Sequence, residues 1–314
     1  MRGSLIAAAW LALAGGGCAG AHVAPSVDAG ADAAVSADAE PIPDGPFKTT
    51  EGGVGGYKLG APLLPNEAPG MLPACNTISG VVRDFKGALP AMSGEAQPGG
   101  HPDFEVFEGR GVTKGLVADM LGTDRKPVYT GLCELGKTAV STTCPFGAMT
   151  TTKANFDQWY RSVEGVNLPY RAYFELSDRD PTSGISTFSS NKFFPLDGYG
   201  WGNSGIDFDM KTQRNYSFTT EIHTTFKYNG GETFKFEGDD DVWIFINGKL
   251  AVDLGGLHLI EKGSVSLDDA AATLGITKGA VYPLDLFHAE RHSVDSDFRI
   301  DLNFVFESCG YIVP

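Results

Sequence analysis

The chain has 314 residues, 42% hydrophobic and 20% charged, ordinary proportions for a globular protein. Its formal net charge of -15 argues against a nucleic-acid partner, which would need a basic surface. Cations, neutral sugars and simple solubility remain compatible with it, and 41 glycines, 18 prolines and 11% aromatics point to a turn-rich β protein.

Residues 1–17 read as a signal peptide. Arg2 supplies a minimal positive start, and "LIAAAWLAL" (Leu5–Leu13) is an apolar run too short to span a bilayer. "LAGGGC" follows and resembles a bacterial lipoprotein box, with Cys18 as the lipidated residue and Gly15 where a large aliphatic residue is usual. The expected location is the outer membrane or cell surface; cleavage near Cys18–Ala21, giving a secreted protein, is the alternative. No later segment is long and apolar enough for a membrane helix. Residues 18–73 are rich in Ala, Pro, Gly and Asp, and between Ala19 and Phe47 they carry five acids and no Lys or Arg. That composition predicts a self-repelling tether. Residues 74–314 are expected to form one domain.

Export makes disulfides the expected state of the cysteines. Besides Cys18 there are Cys75, Cys133, Cys144 and Cys309, which allow three pairings. Cys133–Cys144 would close a short loop, and Cys75–Cys309 would tie the first residues of the domain to its last. No C-x₂-C spacing supports zinc.

Within the domain, "TKGLVADML" (113–121), "ANFDQWYRSV" (154–163) and "SLDDAAATLG" (266–275) suggest short helices, the last opened by Ser266 as N-cap. "YSFTTEIHTTFKY" and "ETFKFEG" flank Asn229-Gly230-Gly231, a hairpin signal, and "DVWIFI" and "KLAVDL" flank Asn247-Gly248, a stronger one. In "DFRIDLNFVF", Phe298, Ile300, Leu302, Phe304 and Phe306 alternate with Arg299, Asp301 and Asn303, as in a half-buried antiparallel strand. The pattern predicts an all-β antiparallel sandwich with short helices and long loops.

No G-x-S-x-G, H-E-x-x-H, Walker A or dinucleotide fingerprint is present, and an enzyme is not expected. His288 and His292 in "FHAERH" would make a metal pair on a helix, but the segment sits beside a strand pattern, where a structural role fits better. Glu290 and Arg291 read most simply as an ion pair. The triplet Asp239-Asp240-Asp241 is either a solvated acidic loop or an oxygen-ligand site for a hard cation such as Ca²⁺, since buried carboxylates repel without a counter-ion.

"GDDDVWIFINGKLAVDLGGLH" (238–258), "YPLDLFHAERHSVDSDFRID" (282–301) and "YSFTTEIHTTFKYNGGETFKF" (216–236) together resemble the fibro-slime domain of the PA14 superfamily. "VVRDFKG", "HPDFE", "KPVYTG" and "NFDQWYRSVEGVN" extend the likeness over about residues 78–306. The resemblance implies a PA14-like β-sandwich in which two adjacent aspartates joined by a cis peptide hold Ca²⁺ that contacts sugar hydroxyls. The pair would be Asp239–Asp240 or, one residue on, Asp240–Asp241. Asn247, Asp253 and His258 are further candidates for metal or sugar contact, although Asn247 also suits the Asn-Gly turn. Trp243 shares a strand face with Phe245, opposite Val242, Ile244 and Ile246, and is either core or a sugar-stacking platform. The implied function is a non-enzymatic extracellular module binding a glycan or matrix polysaccharide with calcium, for adhesion or matrix attachment. A structural slime or envelope protein without sugar binding is the alternative, and a carbohydrate-active enzyme a third reading. Membrane contact is expected only through the lipid anchor.

Overall fold

The computed structural model describes residues 46–63, 76–87, 99–108, 111–135, 139–147, 149–203, 205–207, 209–293 and 295–310. The expected signal peptide, Cys18, Cys75 and most of the tether lie outside them. Strands β1 (Lys48–Thr49), β2 (Gly56–Pro62) and β3 (Thr77–Phe85) come first, then the small ladder of β4 (Cys133–Leu135) and β5 (Ala139–Ser141). Helix α1 (Lys153–Phe156) precedes β6 (Asn167–Glu175) and β7 (Ser186–Ser190), and β8 (Gly205–Ile206) pairs with β9 (Gln213–Arg214). The C-terminal half runs β10 (Phe218–Lys227), β11 (Thr233–Gly238), β12 (Asp241–Ile246), β13 (Lys249–Leu254) and β14 (Glu261–Ser266). It ends with α2 (Leu267–Leu274), β15 (Val281–Glu290), β16 (Phe298–Leu302) and β17 (Val305–Ser308).

These strands form an antiparallel sandwich. The large sheet has the order β1-β2-β6-β3-β10-β15-β12-β13, with β17 beside β10; the small sheet has the order β14-β11-β16-β7. Between them lies a core in which Val242, Ile244, Leu284 and Leu286 of the large sheet meet Phe234, Phe236, Phe298 and Ile300 of the small one. A second core covers the outer face of the large sheet, where Trp243, Phe245 and Phe287 pack under Phe104, Phe156 and Trp159. Both faces of β12 are therefore buried, including the one that carries Trp243.

Part of the tether is folded. Residues 46–63 fall within the 18–73 segment, yet β2 pairs with β6 in the large sheet. The Asn229-Gly230-Gly231 turn does not close a hairpin: β10 pairs with β3, β15 and β17, while β11 pairs with β14 and β16. The chain crosses between sheets there, and the Glu232 carboxylate accepts from Asn229 N and Gly230 N, each at 2.7 Å. The 298–306 pattern likewise changes sheet, at Asn303, whose Oδ1 accepts from Thr233 N at 2.7 Å. Asn247-Gly248 does close the β12–β13 hairpin, with φ of 54° and 72°, the paired positive values this turn requires.

Of the expected helices, 267–274 forms and ends at Gly275 with φ 70°, although Ser266 makes no side-chain cap bond. The 154–163 segment is helical only to Phe156. Residues 113–121 are not helical: Thr113 N bonds Gly255 O at 2.6 Å, Leu121 N bonds Gly248 O at 3.0 Å, and Leu250 N bonds Asp119 O at 2.8 Å. This segment borders β13, where pairing of an open sheet edge outweighs helical spacing. Cys133 and Cys144 form a disulfide with Cα atoms 5.5 Å apart. Cys309 is also disulfide-bonded; Cys75, its expected partner, lies outside the described residues.

Candidate functional site

The aspartate triplet stands where the chain passes from the small sheet to the large one. β11 ends at Gly238 and β12 begins at Asp241, leaving Asp239 and Asp240 at the crossover, joined by a cis peptide. Gly238 is required here, since a Cβ would meet Asp297 O at 2.1 Å. Two loops flank the pair. On one side Asp297 N donates to Asp239 Oδ1 at 2.6 Å and Asp239 N to Asp297 O at 3.2 Å. On the other, His258 N donates to Asp240 Oδ1 at 3.3 Å. From below, His288 Nε2 donates to Asp239 O at 2.9 Å.

The three aspartates have different partners. Asp241 is fully buried and saturated: Arg291 Nε donates to its Oδ2 at 2.7 Å and Gly256 N to its Oδ1 at 2.6 Å. Asp240 Oδ2 receives only the backbone N–H of Arg291, at 3.2 Å. Burial, and then the neighbouring Asp240, push the Asp239 carboxyl well above the usual range. Asp240 is pushed up to about 6 by burial, although Arg291 and His258 pull the other way. Asp297 rises to about 6 through burial and the nearby Asp295 and Glu237.

Two more buried carboxylates act on this pair electrostatically. Glu290, at the end of β15, is fully buried and raised well above its ordinary value by burial, Asp240 and Asp239. Neither of its oxygens has a hydrogen-bond partner. Glu105 accepts from Ser293 N at 3.1 Å and is raised to about 8 by burial, with Asp240 adding to the rise. Among the described residues, no three His, Cys, Asp or Glu side chains stand as a ready-made metal shell. The donor chemistry still fits a hard cation, for the pair offers desolvated carboxylate oxygens and the orphaned Glu290 adjoins it.

Other expected contacts lie elsewhere. Trp243 is fully buried in the outer core and donates to Asp253 Oδ1 at 3.0 Å, so it cannot stack on a sugar. Asp253 also accepts from Gly255 N at 3.1 Å and Gly115 N at 2.8 Å, which occupies both oxygens. Asn247 lies at the far end of β12, roughly 17–20 Å from Asp241 by strand rise, and donates to Leu274 O at 3.0 Å. His258 reaches Asp240 through its main chain alone; its ring nitrogens meet Leu254 O at 3.0 Å and Leu259 O at 2.8 Å. Arg291 pairs with Asp241 rather than with Glu290. In "FHAERH" the first four residues close β15 and His292 lies in the loop beyond it, so His288 and His292 form no helical metal pair.

The raised carboxylates set a pH dependence. The folded chain holds protons on Glu105 (about 8) and Asp240 (about 6) that the unfolded chain gives up near pH 4. Their contribution is complete below that value and is lost as pH rises through 6 to 8. Asp84, which burial pushes to about 7, follows the same trend. His288, lowered to about 4 by burial, acts oppositely, but only below about pH 6.5, so it does not oppose the trend above that. With chelator present, stability should fall by about 2 kcal/mol or more between pH 6 and pH 8, measured by urea unfolding at each pH. An unchanged or rising value would contradict the assignment.

Residues 197–310 match the PA14 domain, a stretch that contains the whole site except Glu105. Protein psiR of Dictyostelium discoideum is 36% identical over 230 residues, covering 71% of this chain and 22% of psiR. Protein psiC of the same organism is 36% identical over 233 residues, covering 71% of this chain and 43% of psiC. The chain thus spans less than half the length of these relatives. Among solved structures, a PA14 sugar-binding domain from an RTX adhesin aligns at 13% identity and TM-score 0.22, over 40% of this chain and 76% of that one. The A domain of epithelial adhesin 6 from Candida glabrata, in complex with Galb1-3GlcNAc, aligns at 19% identity and TM-score 0.20, over 34% and 52%.

Proposed function

We propose that this protein is an exported, non-enzymatic module of the fibro-slime kind. In this reading it binds carbohydrate together with calcium, through Asp239 and Asp240, for cell-surface adhesion or matrix attachment. The observation that carries the reading is the contrast within the triplet. Asp241 is neutralised by Arg291, while Asp239 and Asp240 are buried beside each other without a cationic side chain bonded to either carboxylate. Such a pair gains from a cation that takes oxygen ligands. The PA14 match over 197–310 supports a binding module over an enzyme. Attachment through a lipidated Cys18 belongs to the same proposal.

Calorimetric titration of the full chain with Ca²⁺, followed by a glycan array with and without chelator, tests it. Wild-type protein should bind Ca²⁺ and retain array ligands only when calcium is present. Asp239→Asn combined with Asp240→Asn should lose both. Calcium binding with no glycan retained would favour a purely structural envelope role.

A further inference from the structure

Two sequence motifs, "HPDFE" and "AERH", approach each other beside the aspartate pair. "HPDFE" lies outside the PA14-matching residues, in the layer over the large sheet. Its backbone is fixed at this point: Arg291 Nη1 donates to Asp103 O at 3.1 Å, and Glu105 N to Arg291 O at 2.8 Å. Glu105 itself has φ 58° and is buried, an uncommon backbone for a residue with a side chain. The result directs its carboxylate to Ser293, in the loop that follows β15. "AERH" ends β15, and the register pairs Asp241 with Ala289. Glu290 follows Ala289 at the same end of β15, and Arg291 N bonds Asp240 directly.

Four buried carboxylates thus lie within electrostatic reach of one another, although among the described residues no three stand close enough to hold an ion as they are. The nearby guanidinium of Arg291 gives its Nε to Asp241 and its Nη1 to the carbonyls of Asp103 and Met149, while its Nη2 is buried without a hydrogen-bond partner. Glu290 is the telling member. Both its oxygens are buried and unpartnered, and the charges around it are those of Asp240, Asp239 and Glu105. Ser296 stands close by, but its hydroxyl donates to Phe193 O at 2.9 Å. A buried acceptor without a donor is costly in a folded protein. Glu290 has only its contact with Ser296 to give up if it turns toward an ion.

We infer that Glu290 and Glu105 belong to the cation site, adding their carboxylates to those of Asp239 and Asp240 when a hard cation of charge two or three binds. This inference rests on the proposed calcium reading and extends it to residues outside the aspartate triplet. The four do not form a closed shell as they stand, so binding draws the two longer side chains inward. One consequence is selectivity for charge, since four carboxylates exceed what a monovalent ion can offset. Another is that the layer carrying Glu105 is held to the sandwich by the ion.

The test uses the full chain, with Ca²⁺ followed by calorimetry and bound Tb³⁺ followed by its luminescence lifetime in H₂O and D₂O. Glu290→Gln and Glu105→Gln should each weaken Ca²⁺ binding about tenfold or more and leave more water on bound Tb³⁺. Wild-type affinity and water count in both variants would overturn the inference while leaving the aspartate pair intact, which the Asp239→Asn, Asp240→Asn variant tests by itself. No ion bound by the wild type would remove both. Melting adds a sign that does not depend on binding strength. In chelator, Glu290→Gln should melt above wild type, because the amide sheds repulsion and can donate to its neighbours, yet it should gain less from added Ca²⁺. A variant that melts lower than wild type in both conditions would assign Glu290 a packing role and sink the proposal.

Discussion

Arg291→Ala is expected to cost about 3–5 kcal/mol of folding stability, a large share of what a typical domain possesses. Arg291 is fully buried, with Nε on Asp241 at 2.7 Å, Nη1 on Met149 O at 2.7 Å and its guanidinium 4.5 Å from the Trp159 ring centre. Removing it strands the Asp241 carboxylate, which is 0% exposed, with only the Gly256 amide as partner. It also removes the Nη1 bond to Asp103 O, leaving the main-chain bond from Glu105 N to Arg291 O to hold the 103–105 segment. Arg291→Lys should recover little, because an ammonium cannot present the fork that reaches a carboxylate and two carbonyls at once. Urea unfolding of both variants measures the loss. The double variant Arg291→Ala, Asp241→Ala should lose clearly less than the sum of its parts, since no charge is then left alone. Additive losses would mean that the pair is not coupled.

Local chemistry was legible in the sequence, whereas partnership across the fold was not. The β12–β13 hairpin could be read because Asn247-Gly248 suits a turn with two positive φ values. The alternation from Phe298 to Phe306 was also real, with Phe298, Ile300, Leu302 and Phe304 all buried. Alternation reports which face is apolar, however, and is silent about which sheet supplies the neighbours. The move from small to large sheet at Asn303 therefore left no trace in the pattern, and neither did the crossover at Asn229. Residues 113–121 misled for a related reason: their apolar spacing serves the outer core and the edge of β13.

The site divides the same way. Three aspartates in a row announce concentrated charge, but only the fold gives Asp241 to Arg291 and leaves Asp239 and Asp240 without such a partner. Trp243, Asn247 and Asp253 were drawn in by nearness in sequence, and strand geometry carries them to the outer core or the opposite end of β12. Glu105 and Glu290 were visible as the acids of "HPDFE" and "AERH". Their convergence depends on a layer folding back over the sheet, which no window of sequence encodes.

That layer is secured by a second buried charge network, and Glu221→Ala should release it at a cost of about 3–5 kcal/mol. Glu221, on β10, meets Arg83 Nη1 at 2.6 Å, Lys126 Nζ at 2.5 Å and His223 Nε2 at 2.5 Å. His223 Nδ1 meets Asp285 Oδ1 at 2.5 Å, and Arg125 pairs with the same oxygen. Burial alone would raise the Glu221 carboxyl, yet Arg83, Lys126 and His223 together hold it well below its ordinary range. Its contribution is therefore present above about pH 4.5 and is lost only as pH falls far below that. Without Glu221, Arg83 and Lys126 stay buried with no carboxylate between them. Lys126→Met should cost much less, because Glu221 keeps Arg83 and His223 while the new side chain fills the same apolar space. Arg125 and Lys126 belong to the covering layer, and Phe156 and Trp159 pack beside it on Trp243. Glu221→Ala should accordingly expose tryptophan, seen as red-shifted emission and dye binding at urea concentrations where wild type is intact. If both variants unfold together with wild type, the network does not anchor the layer, and the hydrophobic contacts of the outer core hold it unaided.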